Sequence, residues 1–251
     1  MDTTNTTDTN ASSAPQTKQA ALLTLIDRTR ELEQTLADFF DANARAATGT
    51  VEVWAPKDHF VHIAVWQAYQ ARRLEAIGAD TPPAQPGSND EVFLEHRAEP
   101  WDTAWANAMR ALDDNTAAIA RTSEDDLTHP DRFPWLNGRS FVSTAISNIY
   151  LHPIEHLVQM HEERGDIAAA EQMQLESVAT MNRLFGKGEE YANAVYNLGC
   201  FYAKRGRSAD AIAQVGEALA VNPKLTAWSK EDGDLDSLRD LPEFQALYAA
   251  Q

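Results

Sequence analysis

Seven histidines stand at positions 59, 62, 96, 129, 152, 156 and 161. Two of them are four residues apart in LHPIEHL (151–157). On a helix this spacing puts His152 and His156 on one face, roughly 6 Å apart along the axis. Such a pair can hold one divalent ion. A third ligand from a facing helix would complete a site with one position open to water. The segment KDHFVHIAVW (57–66) offers His62, and spacing alone does not select it over His59, one turn earlier. Histidine pairs of this kind also occur on solvated faces and as hydrogen-bonded core residues, so spacing leaves both arrangements open.

The same stretch spells H-x-x-E-H, the order found in inverted zinc peptidases, where the glutamate activates the zinc-bound water. The mixed α/β domain that accompanies that motif is absent from the pattern. Adjacent helix positions point about 100° apart, so Glu155 ranks as a group behind the ligands or as a base. Pro153 lies inside the helix, removes one backbone hydrogen bond and predicts a kink at the site. Cys200, the one cysteine, reads as a small packed residue in NLGCFYA. Trp54, Trp66, Trp101, Trp105 and Trp135 are candidates for pocket walls, though in a bundle such residues more often anchor the core or loops. Lys204, Arg205 and Arg207 read as a solvated basic turn. No Gly-rich phosphate loop is present.

The elements that must carry these residues are helical. Leu22, Ile26, Thr29, Leu32, Leu36 and Phe39 recur at steps of three or four, widened by Leu25 and Phe40, which predicts a helix from Lys18 to about Asn43. Residues 44–55 form a link. Pro56 suits a first helical turn, and Gly78 ends a second helix running from about Lys57 to Ile77. TPPAQPGSND (81–90) is a loop by composition. A third helix spans about Pro100 to Arg121, with Trp101, Trp105, Ala108, Leu112, Asn115 and Ile119 in step. A second long loop covers 123–138, and a fourth helix runs from about Arg139 to Arg164. Strand signals are weak throughout. Four long amphipathic helices predict a four-helix bundle.

With this frame in place, the histidines carry a family resemblance. Lys57, Asp58, His62 and Trp66 spell K-D-x-x-x-H-x-x-x-W on helix two. His152 and His156 spell H-x-x-x-H on helix four, preceded by Asn148 and Tyr150. Residues 18–163 resemble the DinB-like superfamily of metal-binding four-helix bundles. The resemblance implies His62, His152 and His156 as ligands of a divalent metal, zinc or nickel. It also implies a thiol S-transferase or hydrolase acting on a reactive small molecule, with a low-molecular-weight thiol as co-substrate in some relatives. The histidine–proline step departs from the pattern and puts the placement of His152 in question.

The last third changes character. Val195, Leu198, Gly199, Tyr202, Ala211, Val215, Ala218 and Pro223 fall at positions 4, 7, 8, 11, 20, 24, 27 and 32 of a 34-residue unit starting at Ala192. This resembles a tetratricopeptide repeat, a helix–turn–helix unit. ERGDIAAAEQM (163–173) is an earlier echo, with Gly165 and Ala170 standing 41 residues before Gly206 and Ala211. The end of the fourth bundle helix then doubles as the first helix of a degenerate repeat. DLDSLRDLPEFQALY (234–248) predicts two short capping helices.

The expected molecule is all-α: a tail at 1–17, a four-helix bundle at 18–163 and a tetratricopeptide-like array at 164–251. The formal net charge is −17, from 38 acids and 21 bases, and residues 80–131 hold twelve acids against three bases. This argues against nucleic acid or an anionic membrane as partner. The N-terminus has neither the basic region nor the apolar core of a secretory signal, and a cytoplasmic location is expected. The histidine triad and the resemblance together imply a metal-dependent enzyme with a small-molecule substrate. The competing expectation is a scaffold that binds a protein partner through its repeats. A homodimer is a further expectation.

Overall fold

The computed structural model describes residues 16–79, 81–130 and 132–249. Apart from positions 16 and 17, the expected N-terminal tail lies outside the described residues. Among the described residues there is no strand. The protein is a four-helix bundle continuing into a short tetratricopeptide-like helical array.

Helix α1 (Lys18–Ala37) starts at Thr17, whose hydroxyl accepts from Ala20 N. It is shorter than its periodicity predicts. The chain turns at 38–41 and re-enters a short α2 (Ala42–Ala46) capped by Asp41. The early stop reverses the roles of two neighbours: Phe40 is buried, while Phe39, in step with the stripe, is 57% exposed. Helix α3 (Pro56–Glu75) begins with Pro56 in its first turn, and Gly78 follows it with φ +91°. The loop expected at 81–90 gives way to α4 (Asn89–His96), where Ser88 and Glu91 form a reciprocal capping box. Helix α5 (Trp101–Arg121) presents Ala104, Ala108, Ala111, Leu112, Ala118 and Ile119 to the core. The next loop holds α6 (Glu124–Thr128) and a 3-10 turn at Pro134–Leu136.

The fourth bundle helix has three parts. Helix α7 (Phe141–Ile146) leads into a π-helical turn at Ser147–Leu151 and then α8 (His152–Glu163). Pro153 explains the join. It has no N–H for the carbonyl of Ile149, and its ring needs extra room in the preceding turn. The chain widens there, and His152 N–H bonds to Ser147 O. The Ile149 carbonyl is met instead by Thr29 Oγ1 of α1, at 2.9 Å. The expected proline kink is therefore a π turn braced by a neighbouring helix. Helices α1, α3, α5 and the α7–α8 unit pack around Leu22, Leu25, Ile63, Leu112, Phe141 and Leu157, each at most 1% exposed.

Helix α8 also packs against α9 (Ile167–Phe185) across a turn at Gly165, φ +78°. Helices α10 (Glu189–Ala203) and α11 (Ser208–Val221) repeat the arrangement across Gly206, φ +68°. Between them the backbones come close, because a Cβ on Gly199 would stand 2.8 Å from Val215 Cγ2 and 3.2 Å from its backbone N. The array ends in α12 (Leu225–Ser229), a 3-10 stretch at Gly233–Leu238 and α13 (Pro242–Ala249). The basic turn is not simply solvated. Lys204 pairs with Asp234, Arg205 with Glu162 of α8, and Arg207 with Glu171 of α9. Arg205 also lies over the Phe201 ring. Among the described residues no helix is long and apolar enough to cross a membrane.

Candidate metal centre

Four of the seven histidines meet where α3 faces the start of α8. His62 Nε2 lies 3.0 Å from His152 Nε2, and His152 Nε2 lies 3.1 Å from His156 Nε2. The ligand nitrogens of His62, His152 and His156 all lie within 4.8 Å of one another. Of His59 and His62, the two that spacing left open, it is His62 whose Nε2 lies in this group. His59 reaches the other nitrogen of His156, with Nδ1 to Nδ1 at 3.1 Å, and stays outside the converging set. The histidine–proline step does not displace His152, since the π turn sets the first residue of α8 against α3.

The structure does not bring Glu155 to this cluster. Its Oε1 accepts from Asn197 Nδ2 of α10 at 2.6 Å, so the side chain faces the helical array. The physical reason is the rotation between adjacent helix positions: with His152 and His156 turned to α3, the residue between them looks elsewhere. The remaining histidines are apart. His96 bonds Glu99, His129 is exposed beside Asp125, and His161 lies near the Gly165 turn.

Two tryptophans flank the cluster. Trp54 stacks on His156, with ring centroids 5.7 Å apart and planes at 10°, and also touches His59 and His62. Trp66 lies against His62 and His152, at 6.3 Å and 6.0 Å between centroids, with its indole Nε1 buried and unpartnered. Trp54 comes from the link before α3, which is clamped in place. Asp58 Oδ2 accepts from Gly49 N at 2.7 Å and Ala55 N at 2.9 Å. Lys57 Nζ donates to Thr48 Oγ1 and to Arg97 O. A Cβ on Gly49 would stand 2.3 Å from Val53 O, so only glycine fits this turn. The Lys-Asp step thus serves to hold a loop, a task the sequence motif did not reveal. Trp101 and Trp105 stack on each other and pack against Phe60, while Trp135 lies against Phe141. These three anchor the core.

Burial keeps the three converging histidines neutral. It pushes His62 down to about 3, helped by the nearby His152 and His59. It pushes His152 down to about 4 and His156 well below its ordinary value. Neutral imidazoles offer lone pairs, which a divalent ion requires. The converging Nε2 atoms of His62 and His156 face that of His152 at 3.0 Å and 3.1 Å, where neutral rings can direct lone pairs at a common point. An all-histidine donor set suits zinc or nickel and gives no reason to favour calcium or magnesium. The three histidines therefore fit a divalent transition metal. Cys200 is no competitor: it is buried, 3.7 Å from Asp232 Oδ2, and burial pushes its thiol up.

A tetratricopeptide repeat model matches residues 154–189. The matched segment covers most of α8, all of α9 and the turn between them. It is the earlier echo, not the better-patterned unit at 192–225, and it straddles the boundary expected between 163 and 164. No curated protein and no solved structure matches the chain significantly. The repeat match supports a protein-interaction role for this part of the molecule, and none of the comparisons bears on catalysis.

Proposed function

We propose that the bundle holds one divalent metal ion, zinc or nickel, through His62, His152 and His156. On this reading the protein is a metal-dependent transferase or hydrolase of the DinB-like kind, acting on a reactive small molecule. The observation that carries the reading is the convergence of three neutral Nε2 atoms from two helices. When bound, such an ion lowers the pKa of a coordinated water or thiol and so yields a nucleophile at neutral pH. The chain's own residues do the rest. Three histidines leave a coordination position for substrate or water. Trp54 and Trp66 shield the rings from solvent, and the Asp58–Lys57 clamp keeps Trp54 seated. Glu155 faces away and has no part in it.

Metal analysis of the purified full chain tests the proposal. About one zinc or nickel per chain is expected, because the three histidines offer one ligand atom each to a single point. His156→Ala should lose stoichiometric binding while keeping its helical content, because helix packing and not the ion supplies most of the stability. Stoichiometric metal in His156→Ala would remove this ligand assignment.

A second reading is favoured by the repeat match at 154–189. Paired helices α8–α9 and α10–α11 present a surface of the kind that binds protein partners. A full chain that takes up no metal yet binds one partner stoichiometrically, in wild-type and His156→Ala forms alike, would establish the scaffold reading in place of the enzyme.

A further inference from the structure

His59 has no task as a metal ligand, yet it is 0% exposed. A buried imidazole without a role is costly, since each ring nitrogen needs a partner. Its Nδ1 faces His156 Nδ1 at 3.1 Å. Its Nε2 is buried with no hydrogen-bond partner, and Glu163 Oε2, at the end of α8, lies 3.6 Å away.

We propose that Glu163, His59 and His156 form a relay that positions the His156 ligand. This inference rests on the metal reading above. To present a lone pair at Nε2, neutral His156 must carry its proton on Nδ1. That N–H points at His59 Nδ1, which can accept only if the His59 proton sits on Nε2. The Nε2–H in turn faces the Glu163 carboxylate. One tautomer at the ligand thus dictates each step outward, because a neutral imidazole has one donor and one acceptor. The last gap is slightly longer than a hydrogen bond, and a rotation of the half-exposed Glu163 side chain would close it. The other two ligands lack this support, as His62 Nδ1 and His152 Nδ1 have no partner. Trp54 fixes the plane of the His156 ring by stacking, and His59 fixes which nitrogen faces the metal. His59 and Glu163 are positioning residues, acting on the ion through His156.

The test compares zinc affinity, by competition with a chromophoric chelator, and the visible spectrum of the cobalt-loaded full chain. The variants are His59→Leu, His59→Asn and Glu163→Ala. Leucine removes the acceptor, whereas the asparagine side-chain oxygen can stand near the place of Nδ1. His59→Leu should loosen zinc by about 10–100-fold and alter the cobalt bands, with His59→Asn restoring much of the loss. Glu163→Ala should loosen zinc several-fold. A histidine 15N correlation spectrum of the zinc-loaded wild type should show His59 as the Nε2–H tautomer.

Wild-type affinity and spectrum in His59→Leu, or His59 found as the Nδ1–H tautomer, would overturn the relay and leave the three-histidine site standing. If His59→Leu does not fold, Glu163→Ala decides: weaker zinc binding supports the relay, and unchanged binding overturns it. A wild-type chain that binds neither zinc nor cobalt would overturn the metal reading, and the relay with it.

Discussion

Glu33 is a carboxyl group 0% exposed inside the bundle. Gln67 Nε2 donates to its Oε1 at 2.9 Å, while Oε2 has no partner. Burial raises it to about 8, against the smaller opposing effects of Gln67 and Arg30. At neutral pH it is therefore held as the acid, beside Gln67, whose Oε1 is likewise buried and unpartnered. The sign of its effect on stability follows. Below the unfolded value of 4.5 both states are protonated and Glu33 is neutral to folding. As pH rises toward 8 the unfolded chain releases this proton and the folded chain keeps it, so stability falls. The loss is on the order of 5 kcal/mol once pH passes the folded value. Glu33→Gln removes the titration. In urea unfolding it should gain a few kcal/mol over wild type between pH 5 and pH 8.5. Parallel pH profiles for the two proteins would show that Glu33 does not titrate with folding.

At the scale of elements, the π turn at Ser147–Leu151 couples the bundle core to the histidine cluster. It is a response to Pro153, and it is braced from outside its own helix. Thr29 Oγ1 lies 2.9 Å from both Leu25 O and Ile149 O; its single proton is needed at Ile149 O, which Pro153 has freed, because Leu25 O already accepts within its own helix. Thr29→Val keeps the shape and removes the donor. The orphaned Ile149 carbonyl should cost about 1–3 kcal/mol in thermal unfolding. Because His152 follows the turn directly, the same variant should weaken zinc binding. Lowered stability with unaltered zinc affinity would show that the turn does not tune the ligand. The short α1 teaches a related lesson. Its periodicity continues to Phe39, but the chain stops at Ala37, where Asp41 can cap α2. Periodicity shows which side of a helix is apolar; capping competition sets where the helix ends.

At the scale of the whole molecule, α8 belongs to two assemblies. It contributes His152 and His156 to the bundle and pairs with α9 as the matched repeat. Glu162 of α8 pairs with Arg205, and Arg28 of α1 bonds Glu176 of α9 at 2.6 Å. The Gly165 turn is thus held from both sides. Limited proteolysis should cut the polar, helix-free stretch at 81–88 before the turn at 163–166. Early cleavage at 163–166 would indicate two units that move independently. A partner seated on α8 and α9 would lie along the same helix that bears two candidate ligands. Metal uptake and partner binding can therefore be compared directly in one titration.

Much of this architecture was legible in the amino-acid sequence. The spacing of Leu22, Ile26 and Leu36 placed α1, Pro56 opened α3, and Gly165 and Gly206 marked two equivalent turns. These are local signals, set by backbone geometry and the cost of a left-handed residue. The i, i+4 pair His152 and His156 is local in the same way, as one helix fixes its shared face. The third member was not legible from spacing. His59 and His62 lie one turn apart on α3, and only the rotation of α3 against α8 determines which meets His152. The seat of Trp54 depends on the clamp made by Asp58 and Lys57, and the direction of Glu155 on the neighbouring Asn197. The exchange between Phe39 and Phe40 depends on where a cap wins over a helix. Each of these is decided by packing between segments far apart in the chain, and local periodicity carries no information about that.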